Sequence, residues 1–162
     1  MKRRALIILA MTCLTGAAKV QTPREQCERL LDSILPLAEK MLKEHGEFYP
    51  FGATLKSDGT EAMVAASDDK DRPPSQPLID LLRSGFKSAA AKRDVIATAL
   101  AYDVRVTAPG SRSKTDAVAV ELDHRDGYSV IVYFPYVLKS GAVSFGQAFA
   151  NAGAKSIFPV GG

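Results

Sequence analysis

Between residues 27 and 42, apolar side chains recur at Cys27, Leu30, Leu31, Ile34, Ala38, Met41 and Leu42, a single stripe at helical spacing. Thr22, Pro23 and Glu25 supply an N-cap, a first helical position and a capping-box partner, and His45 with Gly46 supplies the stop. Pro36 lies inside the stripe and removes a backbone donor, which predicts a kink or break there. Beyond Glu44 the period shortens to two. Two alternating runs flank Asp58 and Gly59, and Asp-Gly favours a hairpin because both residues accept positive φ. A two-residue loop sets Lys56 opposite Glu61, Leu55 opposite Ala62, Ala53 opposite Val64 and Phe51 opposite Ala66.

The polar connector SDDKDRPPSQ follows, and a second helix is predicted from about Ser75 to Arg93 with Leu78, Ile79, Leu82, Phe86, Ala89 and Ala90 inward. Three strands complete the pattern. Ile96 to Val106 alternates a large-residue face with one holding Ala97, Ala99 and Ala101, and Asp116 to His124 alternates Val118, Val120 and Leu122 with Ala117, Ala119, Glu121 and Asp123. A three-residue loop ending at Gly127 sets Leu122, Val120 and Val118 opposite Val130, Val132 and Phe134. That choice leaves Ala97, Ala99, Ile131 and Tyr133 as an apolar second face, to be covered by a helix or by a second subunit. A short helix near Phe145 to Ala150 and a docked tail end the chain. The expected fold is therefore α+β: five mainly antiparallel strands, an N-terminal hairpin plus a C-terminal three-strand meander, with helices packed on them.

The first residues change the charge picture. Lys2, Arg3 and Arg4, an apolar run from Ala5 to Leu14 and small residues at Gly16 and Ala18 have the form of a secretory signal peptide cut after Ala18. Retention as an anchor and a lipoprotein variant at Cys13 are the rivals; the apolar run is short for a membrane span. Residues 19–162 then form one domain, exported to the periplasm or beyond, with no stable membrane span. The chain carries 21 Lys and Arg against 18 Asp and Glu, and the leader removes three of the basic residues, so the remainder is balanced. Balanced charge does not favour nucleic acid as a partner. Cys27 is the one cysteine left, and its place in the helical stripe predicts a buried thiol rather than an intermolecular link.

Candidate chemistry is sparse. The sequence contains no Walker loop, no Gly-x-Gly-x-x-Gly and no Gly-x-Ser-x-Gly, so no catalytic residue, metal ligand or cofactor is assigned. Three aspartates in the connector invite calcium, but Pro73 and Pro77 occupy the positions where an EF-hand needs Gly and Glu. His45 and His124 are the only histidines, and His124 stands at a hairpin mouth where charged residues gather in water. The segment from His45 to Gly52 is the densest in special residues. His45, Glu47, Tyr49 and Phe51 can line a ligand or partner groove, or the aromatics can plug the junction between helix and strand.

With EHGEFYPFGATL at 44–55, SDG at 57–59 and SQPLIDLL at 75–82, the chain resembles a group of small bacterial proteins that carry an EHGEFYPFG-type segment ahead of a β-hairpin. That resemblance covers most of the chain after the leader and implies no activity. The order helix, hairpin, helix, meander is also similar to the profilin-like layout of roadblock domains, which implies protein binding and dimerisation. The leading expectation is a non-catalytic binding or interaction module, as a homodimer or with a protein partner. The alternative is a small periplasmic hydrolase or metal-dependent enzyme using His45 or His124, and a third is an envelope structural factor.

Overall fold

The computed structural model describes residues 20–67 and 74–158. The leader pattern, Cys13, the aspartate connector from Asp68 and the last residues from 159 lie outside the described residues.

The elements run α1 (Pro23–His45), β1 (Phe51–Leu55), β2 (Glu61–Ala65), α2 (Ser75–Ala91), β3 (Ala97–Thr107), β4 (Lys114–His124), β5 (Ser129–Lys139), β6 (Ala142–Phe145) and β7 (Phe149–Ala152). They form an α+β fold with one antiparallel sheet in the order β2-β1-β3-β4-β5-β6, with β7 also on β5. Helix α1 opens on the full capping box of Thr22 and Glu25 and closes on Gly46 at φ 77°. Pro36 does not break it, because its missing donor lies on the exposed side while Ile34 and Ala38 keep the buried stripe continuous. Cys27 is fully buried in that stripe, and burial pushes its thiol pKa up to about 12.

The β1–β2 and β4–β5 hairpins use the same turn. Lys56 N–H donates to Thr60 O, and His124 N–H donates to Tyr128 O, with Gly59 at φ 85° and Gly127 at φ 87°. Each loop thus has three residues, as expected for Arg125-Asp126-Gly127 but not for the first hairpin. The shift by one residue places Leu55 opposite Glu61, Ala53 opposite Met63 and Phe51 opposite Ala65. Lys56 therefore does not pair with Glu61. Instead Glu61 takes Arg29 of α1 at 2.6 Å and Ser33 at 2.8 Å, and Arg29 also donates to the Gly59 carbonyl.

The sheet has seven strands where five were expected. No helix forms at Phe145 to Ala150; β6 and β7 pair instead with successive halves of β5, at Tyr136 to Lys139 and at Val130 to Tyr133. Pro135 separates the halves: it ends the β4 ladder, since proline has no N–H, and its carbonyl accepts from Gly146.

Register also decides the faces. Ala99 lies opposite Leu122 and Ala101 opposite Val120, so the alanine side of β3 joins the Val118, Val120, Leu122 side of β4. Helix α1 covers this surface, with Leu30, Ile34, Ala38 and Leu42 fully buried against it. The expected second face is thereby corrected: Ala97 and Ala99 are at 0% exposure beneath α1, while Ile131 and Tyr133 lie across the sheet. These four residues form no common face for a dimer. Helix α2 covers the other side with Ile79, Leu82 and Phe86, joined by Leu100, Val95 and the tail residues Ile157 and Phe158. Gly52 makes room for it, since a Cβ there would lie 2.5 Å from Phe86 Cζ and 2.6 Å from the Ala99 carbonyl oxygen.

Candidate functional site

On the α2 side, helix and sheet part toward β5 and leave a cleft of about 600 Å³. Asp80, Arg83, Ser84 and Lys87 line it from one stripe of the helix. Opposite them stand Glu121 and Asp123 of β4, Ser129 and Ile131 of β5, and the tail from Gly153 to Ser156. Alternation explains the two carboxylates: with Val120 and Leu122 committed to the α1 core, Glu121 and Asp123 must point the other way.

These two carboxylates meet different surroundings. Glu121 is held by the Arg83 guanidinium through both Nε and Nη2, and it accepts a third hydrogen bond from Tyr102 Oη at 2.9 Å. Burial and the neighbouring Glu121 charge together raise the Tyr102 pKa, so the phenol remains a donor. Asp123 is only 6% exposed, and its side chain is held by the Ser129 hydroxyl, which also accepts from the Lys155 N–H at 3.2 Å. Among the described residues no cation forms an ion pair with it. Burial raises the Asp123 pKa above the ordinary carboxylate value, with Ser129 and the more distant Arg83 opposing. The tail closes tightly here, because a Cβ on Gly153 would lie 2.8 Å from the backbone of Ser129 and Val130.

The sequence-predicted site residues do not converge. Phe51 is 5% exposed and packs edge-on against Phe48 at 5.8 Å between centroids, so these two aromatics plug the junction. Tyr49, His45 and Glu47 point outward, with His45 near only Glu44 at 3.9 Å. His124 is not in water at a hairpin mouth; it is 3% exposed. Its Nδ1 accepts from the Asp126 N–H at 3.0 Å, so Nε2 carries the proton donated to Gln26 Oε1 at 2.7 Å. Both ring nitrogens are thus occupied by the fold, which leaves His124 no free nitrogen for proton transfer.

Among the described residues, no three His, Cys, Asp or Glu side chains gather as a metal site, and no helix is long and apolar enough to cross a membrane. Comparison with protein-family models, curated proteins and solved structures gives no match. The cleft residues Arg83, Lys87, Glu121 and Asp123 were not singled out from the sequence. Their signal was present: two carboxylates on the inward side of a buried strand, and Asp80, Arg83 and Lys87 at helical spacing.

Proposed function

We propose that this protein is an exported, non-catalytic binding module whose ligand site is the cleft between α2, β4, β5 and the tail. The observation that carries the reading is Asp123, a buried carboxylate lining a solvent-connected cavity without a cationic partner among the described residues. Burying a charge is costly unless something pairs with it, so such a position persists at a site where a ligand completes the pairing. Export is supported by the leader pattern from Lys2 to Ala18. The cleft is also of ordinary small-ligand size.

The test is a thermal-shift screen of small polar metabolites against the protein and its Ser84→Trp variant, in which the indole fills the cleft. A ligand at a hundred times its Kd stabilises by about 2.7 kcal/mol, and the variant is expected to lose that shift. Compounds that stabilise both proteins equally, or a screen with no stabilising compound, would overturn the assignment.

A further inference from the structure

Helix α2 and strand β4 face each other across the cleft, with Arg83 and Lys87 on the helix and Glu121 and Asp123 on the strand, and these charged residues form two rungs. The first rung is Arg83 with Glu121, a bidentate pair that joins helix to sheet. The second rung is Lys87, one turn beyond Arg83, with Asp123, two residues beyond Glu121, and both line the same cavity. No ion pair joins them, and Lys87 makes none with any other described residue. Aspartate is one methylene shorter than the glutamate of the first rung. The second rung is thus open, with a cation on one wall and a buried anion on the other.

We propose, building on the cleft reading above, that the open rung binds a small zwitterion of amino-acid or dipeptide size, its ammonium on Asp123 and its carboxylate near Lys87. A simple anion placed between these walls would face Asp123 and Glu121 at close range. A simple cation would satisfy Asp123 but leave Lys87 and Arg83 facing it from the helix. An uncharged sugar would leave the buried carboxylate without its countercharge. A zwitterion alone meets both walls with the correct sign. Ile131 and Ala154, which also line the cavity, offer a small apolar wall for the ligand's side chain.

Isothermal titration of the protein with L-alanyl-L-alanine, its methyl ester and its N-acetyl derivative tests this directly. The free dipeptide is expected to bind, and each singly charged analogue is expected to bind at least tenfold more weakly. Asp123→Asn and Lys87→Gln should each weaken the dipeptide at least tenfold, with circular dichroism unchanged. Equal binding of either analogue, insensitivity to both substitutions, or no heat from any probe would overturn the zwitterion assignment. The cleft itself is judged separately: a metabolite whose stabilisation disappears in Ser84→Trp keeps it as the site even if the dipeptide fails.

Discussion

Asp123 and His124 are neighbours on one strand, yet they belong to two different surfaces. His124 turns toward α1, where it is enclosed by Gln26 and the Asp126 backbone; Asp123 turns toward α2 and the cleft. The α1 side is lined by Ala97, Ala99, Ala101, Val118 and Val120, all at 0% exposure. Alanines let a helix approach closely, and the branched residues beside them fill the remaining volume. The α2 side presents Leu100, Tyr102, Glu121, Asp123 and Ile131, and its charged members line the cavity between helix and sheet. One face is therefore finished by its own packing, whereas the other keeps polar groups over a cavity. The comparison teaches that the functional candidate lies where packing is incomplete, not where unusual residues crowd in sequence.

Substitutions should separate the two faces in order of effect. Ile34→Ala or Leu122→Ala opens a cavity in the dry face, and a loss of about 2–5 kcal/mol in urea unfolding is expected. Gly52→Ala should cost about 1–3 kcal/mol, since its Cβ meets Phe86 and the Ala99 backbone. Glu121→Gln removes the carboxylate charge that faces Arg83 and one of its two acceptor oxygens, leaving a single amide oxygen for Arg83 and Tyr102. It should cost about 1–3 kcal/mol, with a double-mutant cycle against Arg83→Met showing positive coupling.

Acidity sharpens the contrast, because the two neighbours respond with opposite sign. Burial holds the folded His124 pKa below 6.5, with Asp126 opposing and Arg125 assisting. Its contribution is complete above pH 6.5 and is lost as the pH falls, because the unfolded chain takes up the proton first. Asp123 is raised above 3.8, so its folded form binds the proton more readily and acidification through the carboxylate range stabilises through it. His124→Gln should flatten the decline below pH 6.5 in urea midpoints. Asp123→Asn should raise stability at neutral pH. The smallest effect is expected for Arg29→Ala, which frees the first hairpin turn from α1 for about 0.5–1 kcal/mol, because the pair is partly exposed.

Much of the fold was legible because local signals agreed with it. The capping box at Thr22, the stripe from Cys27 to Leu42 and the alternation in β3 to β5 each fix an element by short-range chemistry. Strands β6 and β7 were not legible, since segments as short as AVSF and FANA are strands only through pairing with β5. The first hairpin's register was missed because Asp-Gly serves loops of two and three residues, and Glu61 prefers Arg29 on α1 to Lys56 on its own hairpin. The pairing of the β3 alanines with the large residues of β4 depends on their mutual register, which neither strand specifies alone. The cleft was hidden for the same reason: Arg83 and Glu121 are 38 residues apart and meet only when α2 crosses the sheet.

The most direct test of the two-face account is an amide NMR titration of the protein with L-alanyl-L-alanine. Shift changes confined to residues 83–87, 121–131 and 153–156 are predicted, with none from His45 to Gly52. Changes centred on His45 to Gly52, changes along α1, or no changes at all would contradict the account.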